Sequence, residues 1–193
     1  MAESDALAVR LAREGDSQAF RALVERHSRT LYRLAFRMTG SREDAEDVVQ
    51  ETFLRAHRQL GRFEARANVG TWLYRIAVNC CYDQMRSRPK HIVEAHEGVI
   101  EAATESSAMS DAPPDQDRLL FSAQVRARVA ETLTTLSAAE RAAFVLRHFE
   151  GRSIKEIGRA LGLGTSATKH SVFRAVQKVR AALEPIVPNR AGS

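Results

Sequence analysis

The stretch from Gly151 to Leu183 limits what this chain can become more than any other. Ser153 with Glu156 three residues on is a capping box and predicts a helix start. Ile154, Ile157 and Leu161 give that short helix one apolar face. Gly162 and Gly164 break it, with Leu163 between them. A second helix is expected from Thr165 or Ser166. Its apolar positions are Val172, Val176, Val179 and Leu183, spaced by four, three and four. Its other face carries Ser166, Lys169, His170, Arg174 and Lys178, and no acid occurs between Ser166 and Leu183. Two helices joined by a glycine-containing turn, the second basic on its outer face, match a helix-turn-helix that reads the DNA major groove. The competing reading is an αα-hairpin with a solvated cationic face. Such faces usually mix both signs, and this one does not.

The rest of the sequence is consistent with an all-α protein. Glycine and proline number only 10 and 5 in 193 residues, too few for a turn-rich β fold, while 44% hydrophobic content supports a buried core. Charge is segregated. Residues 1–90 hold 16 Lys/Arg and 12 Asp/Glu; residues 91–117 hold 7 acids and no base; residues 118–193 hold 13 Lys/Arg and 5 Asp/Glu. Two basic blocks around an acidic strip predict two nucleic-acid-facing modules, 1–90 and 118–193, joined by a flexible acidic linker, 91–117. The linker ends in Pro113-Pro114 and has no apolar run of helical period.

Cys80 and Cys81 are adjacent and no metal-ligand spacing is present, so neither a disulfide nor a metal site is expected. No cofactor is expected either. No nucleophile–base pair, carboxylate pair or phosphate loop stands out, so no catalytic activity is predicted. The N-terminus has acids and no apolar signal-peptide core, and no run approaches 18 apolar residues. A cytoplasmic chain without membrane insertion is expected.

In the first block, helices are predicted over about 5–14, 17–38 and 41–60, and from Thr71 to Arg86. Their apolar stripes include Phe20, Leu23, Val24, Leu31 and Leu34, then Val48, Val49, Thr52 and Phe53, then Trp72, Leu73, Ile76 and Cys80. Residues 61–70 read as a loop. A helix resumes near Asp115, and Ser137 with Glu140 is a second capping box.

Two segments carry a family resemblance. The first is Asp44-Ala45-Glu46-Asp47-Val48-Val49-Gln50-Glu51-Thr52-Phe53, followed by Thr71-Trp72-Leu73-Tyr74-Arg75-Ile76-Ala77-Val78-Asn79. The second is Phe144-Val145-Leu146-Arg147-His148-Phe149-Glu150-Gly151 with the helix-turn-helix after it. Together they resemble the extracytoplasmic-function sigma factors, group IV of the sigma-70 family of RNA polymerase sigma factors, over roughly residues 16–88 and 118–184. The resemblance implies that residues 1–90 are region 2, which docks on core polymerase and melts the −10 element. It makes 118–193 region 4, which binds the −35 element. The partners it implies are core RNA polymerase, through its beta and beta-prime subunits, promoter DNA, and an anti-sigma factor. The extra N-terminal and middle domains of housekeeping sigma factors are not matched, as expected for this class.

By the same resemblance, Asp44, Asp47, Gln50 and Glu51 are polymerase-binding positions. Acids and an amide on one helix face suit a basic partner, and Glu51 lies too far along the helix for its dipole to account for the charge. The loop from Phe63 to Gly70 matches one that captures a flipped −10 base. Phe63, Arg66 and Asn68 supply a stacking surface and polar groups for a base edge. Trp72 reads as core rather than as a platform. Arg75 and Asn79 resemble contacts to the non-template strand, and Arg86, Arg88 and Lys90 read as phosphate contacts. On the −35 side, Arg152 and Ser153 sit at a helix start that favours phosphate. Ser166, Lys169, His170, Ser171 and Arg174 face the major groove, and Lys178 is expected near phosphate. The run departs from many members at Ser171 and Val176, where those carry Arg, so no −35 preference is carried over. The acidic linker resembles one that threads the polymerase's RNA channel; it either mimics RNA there or serves as a tether.

The main rival is a free-standing helix-turn-helix transcriptional regulator that binds operator duplex unaided. A protein-binding adaptor is the third reading. The Asp47–Glu51 face and the 71–79 helix argue against the first, and the basic C-terminal block against the second.

Overall fold

The computed structural model describes residues 2–63, 68–87 and 116–186. These residues are helical, with no strand among them, and fall into two units divided between Ser87 and Arg88. Most of the region predicted as linker, and Arg66, Arg88 and Lys90, lie outside the described residues.

The first unit contains α1 (Ala2–Arg13), α2 (Ser17–Thr39), α3 (Arg42–Gln59) and α4 (Val69–Ser87). Local chemistry sets the boundaries. The Asp16 carboxylate accepts from the Gln18 and Ala19 amides at 2.8 and 3.1 Å, capping α2. Gly40, at φ +75°, lets the chain turn out of α2, and the Ser41 hydroxyl caps α3. A short 3-10 turn, Leu60–Arg62, extends α3. α4 begins at Val69, two residues earlier than predicted. The Asn68 side chain accepts from the Thr71 amide at 3.3 Å and its carbonyl from the Trp72 amide at 3.0 Å, so the predicted loop already ends at Asn68.

α2, α3 and α4 bury Leu34, Met38, Val48, Thr52, Leu73 and Val78 between them. Burying a side chain of this size stabilises by about 1.5–3 kcal/mol. Thr52 sits in this core because its hydroxyl donates back to the Val48 carbonyl at 2.7 Å. Phe20, Val24 and Val49, predicted as core, are only half-buried. They wall a groove that stays open between α2 and α3.

The second unit contains α5 (Gln116–Thr135), α6 (Ala138–His148), α7 (Ile154–Leu161) and α8 (Thr165–Leu183). Both predicted capping boxes form, at Ser137/Glu140 and Ser153/Glu156. The core gathers Leu133 and Leu136 of α5 and its end, Phe144 of α6, and Ala175 and Val179 of α8. Gly162, at φ +65°, terminates α7, and Gly164 is the N-cap of α8. The buried line of α8 differs from the predicted one. It runs through Thr168, Ala175 and Val179, while Val172, Val176 and Leu183 lie half-buried at its margin. Close approach explains the shift. A side chain begun at Gly158 would lie 3.1 Å from the Thr168 hydroxyl, so small groups occupy the seam between the two helices.

Candidate functional site

The acidic face of α3 divides into residues with internal partners and residues directed outward. Asp44 accepts from the Gln84 side-chain amide of α4 at 2.7 Å. Glu51 pairs with Arg55 at 2.6 Å, and Arg55 reaches on to Asp83 of α4 at 3.4 Å. These two acids therefore help join α3 to α4. Asp47 and Gln50 are exposed. Gln50 also stands on the rim of the open groove, of about 690 Å³, which is walled by Phe20, Val24, Tyr32, Val49, Phe53 and Leu54. Leu54 is 45% exposed there. Sequence reasoning missed it; its place four residues after Gln50, on the outward side of α3, was the available signal.

Just after the 3-10 turn, Phe63 departs from its expected role. It is only 6% exposed, and its ring centre lies 4.6 Å from that of Trp72. It is buried against the indole rather than presented as an open stacking surface. Trp72 itself is half-buried, on the core side as predicted. Asn68 is exposed but spends its side-chain oxygen on capping α4. Arg75 and Asn79 are exposed one turn apart, on the side away from buried Ile76, Ala77 and Cys80. Arg86 is exposed further along, its guanidinium carbon 5.7 Å from the Tyr82 ring centre.

In the second unit, Ser153 is satisfied internally. Its hydroxyl donates to Glu156 at 2.7 Å, and its amide donates to the same carboxylate at 2.8 Å. These bonds hold the Glu156 carboxyl below its ordinary range. The anion expected at the start of α7 is thus already supplied by Glu156. Arg152 is half-buried, 4.0 Å from that carboxylate, and its carbonyl accepts from Arg147.

On α8, Ser166, Lys169, His170 and Arg174 are exposed together, whereas Ser171 turns towards the half-buried margin. Phe173, which the sequence reading left out, is 62% exposed in the middle of this surface. Ser166, His170, Phe173 and Gln177 follow each other by four, three and four residues and form one strip. An aromatic residue off the Val172–Val176–Val179 stripe was the sign available in the sequence. Lys178 is the second departure. Its ammonium bonds the Glu140 carboxylate at 2.7 Å, and the Glu140 side chain is only 8% exposed. Burial pushes the Glu140 carboxyl up. The Lys178 bond and the Ser137 amide outweigh it and hold the group below its ordinary value. The predicted phosphate contact is thus engaged inside its own unit.

Among the described residues no group of three His, Cys, Asp or Glu is placed to hold a metal ion, and no helix is long and apolar enough to cross a membrane.

Two family models match the chain: Sigma-70 region 2 over residues 23–90, and Sigma-70, region 4, over residues 126–179. The chain is 35% identical over 175 residues to the ECF RNA polymerase sigma factor SigM of Mycobacterium tuberculosis, covering 90% of this chain and 80% of that one. It is 30% identical over 185 residues to the ECF RNA polymerase sigma-E factor of Salmonella typhimurium, covering 95% and 96%. Among solved structures it is similar to CnrH, determined in complex with the cytosolic domain of CnrY. That similarity has a TM-score of 0.59 and 29% identity, over 94% of this chain and 98% of the other.

Proposed function

From the premise that the chain belongs to the extracytoplasmic-function class of sigma-70 factors, we propose a division of labour among the surfaces described above. Its function is that of the family: it binds core RNA polymerase and directs it to promoters. Sigma factors are initiation factors rather than enzymes, and we assign this chain no catalytic step of its own.

Asp47 and Gln50 lead the docking on core polymerase, with the apolar groove and Leu54 beside them. Exposed acid next to exposed apolar surface suits a basic, amphipathic partner. Asp44 and Glu51 serve this face mainly by holding α3 against α4. Arg75 and Asn79 are the leading −10 contacts, with Asn68 at the head of their helix and Arg86 beyond them on the backbone. On the −35 side, Lys169, His170, Phe173 and Arg174 enter the major groove, and Ser166 and Arg152 meet phosphate. Residues 1–90 act as region 2, 118–193 as region 4 and 91–117 as the connection. The site of action is the cytoplasm, where the polymerase works. An anti-sigma factor is proposed as a further partner, supported by the similarity to CnrH, determined in complex with the cytosolic domain of CnrY.

The observation that carries this reading is the exposed surface of α8, which holds Lys169, His170 and Arg174 around Phe173 and has no acid. The test is run-off transcription with core polymerase on a promoter from the source genome, with and without the protein. A specific transcript that depends on the protein is expected. Asp47→Arg should lower core affinity in a fluorescence titration without moving the melting temperature, because Asp47 is exposed. Unchanged affinity removes Asp47 from the docking face.

A further inference from the structure

The N-terminal helix α1 lies before residue 23, where the region 2 match begins. Its contacts go beyond covering the core. In its first turns Asp5 is buried, a costly place for a carboxylate unless it is paired. It is paired twice, accepting from Arg26 at 2.9 Å and meeting the His27 Nε2 at 3.0 Å. The other edge of the His27 ring faces the first turn of α4. A side chain begun at Gly70 would lie 3.4 Å from the His27 Cε1 and 3.2 Å from the Asn68 Oδ1. At the far end of α1, Arg13 donates to the Gly61 carbonyl at 3.1 Å, in the 3-10 turn that leads to Phe63. One rigid helix of 12 residues, about 18 Å long, therefore touches the chain just before Phe63 and, through His27, just after Asn68.

We infer that α1 is a brace for the promoter-melting face: Arg13 and the Asp5–His27 pair fix the two described ends of the 63–68 span, and with them the start of α4. The inference rests on the reading that α4 contacts the −10 element. A buried ion pair usually adds little net stability over an apolar pair of the same shape, and its better-attested use is to specify one geometry. Asp5 answers to that use, because it fixes the ring that abuts Gly70 where an apolar residue would only fill space. Asp5, His27 and Arg13 are thus positioning residues. None of them needs to touch DNA.

The test uses holoenzyme assembled from core polymerase and the full chain. Promoter opening is followed by the fluorescence of 2-aminopurine placed in the −10 element, and core affinity is titrated separately. His27→Ala and Arg13→Ala should keep core affinity within about twofold and slow opening by roughly tenfold, the range in which residues remote from a site modulate it. His27→Gln should recover most of the rate, since its amide can still donate to Asp5. If His27→Ala fails to fold, Arg13→Ala decides alone, because it removes one exposed hydrogen bond. Opening at the wild-type rate in both Ala variants overturns the inference. So does an equal loss of core affinity and opening, which marks general destabilisation. Arg75→Ala and Asn79→Ala in the same assay keep the two ideas apart. If they leave opening unchanged, the −10 reading falls and the brace falls with it. If they slow opening and the brace variants do not, the brace alone is wrong.

Discussion

Arg174 and Lys178 sit one turn apart on α8, yet their losses should be felt in different places. Arg174 projects from an exposed, acid-free surface. Losing a bidentate base contact costs about 1–3 kcal/mol and relaxes preference at a single base pair. Arg174→Ala should therefore flatten discrimination at one −35 position in a library of single-base promoter variants, with melting temperature unchanged. Phe173→Ala should also spare the fold, since an exposed side chain contributes within about 0.5 kcal/mol. It should weaken promoters that place a thymine methyl under the ring. Lys178→Ala should instead act on stability. It leaves Glu140 buried with fewer donors, at a cost of about 1–3 kcal/mol. The pH dependence follows from the direction of the Glu140 shift. Its folded pKa lies below the ordinary 4.5, so the stabilisation is full at neutral pH. It is lost as pH falls below that value and through the folded pKa. Thermal melts from pH 7 to pH 3 should show the gap between wild type and Lys178→Ala closing at the acid end. A constant gap would show that the pair does not carry the difference. Nothing in the sequence announced this pair. Its members are 38 residues apart, and Lys178 lies on the same helix as the groove-facing cations.

At the scale of the helix, legibility followed the range of the forces. Both capping boxes act within three residues and were readable from the sequence alone, as was the break at Gly162. The early start of α4 was missed because Asn68 reads equally well as a loop residue or a cap, and Phe63 was misjudged because its partner Trp72 belongs to the next helix. Among site residues, the outward positions Asp47, Arg75, Asn79, Lys169, His170 and Arg174 could be read from periodicity. The internal engagement of Asp44 and Lys178 could not, since it depends on packing between helices. Gly158 shows the same limit. Within α7 it looks like a poor helix former, worth about 1 kcal/mol less than Ala. In the folded unit a side chain there would meet the Leu163 carbonyl at 2.8 Å. That atom is backbone, fixed by its place in the turn, and overpacking of this kind costs about 1–3 kcal/mol. The clash should win. Gly158→Ala is expected to lower the melting temperature by several degrees and to cut −35-dependent transcription, despite its better helix propensity. Gly164→Ala, with nothing within 4 Å, serves as the control. A melting temperature at or above wild type for Gly158→Ala would mean that the turn can open without loss.

For the whole molecule, the division of promoter contacts between two units sets how strongly the free protein can bind. A single small DNA-binding module buries only about 600–1,000 Å² of surface. Much of what it gains is the release of counterions, which carries no sequence information and weakens steeply with salt. Specific, tight binding needs both units on the same promoter at once. The second contact adds its full weight only when something holds the two at the separation the DNA demands. Core polymerase is the partner the family supplies for that purpose, and it also spares the chain the ordering cost of finding this separation unaided. The free protein should therefore bind promoter duplex at the level of non-specific association, with Kd on the order of 10⁻⁴–10⁻⁶ M at physiological salt. Addition of core polymerase should bring binding and opening together. Fluorescence anisotropy on matched promoter and scrambled duplexes, with and without core, measures both terms. Equal weak affinity for the two duplexes without core, and strong preference with it, is the expected pattern. Nanomolar, sequence-specific binding by the free chain would mean that one unit reads enough of the promoter alone, and the role given to the scaffold would have to be withdrawn.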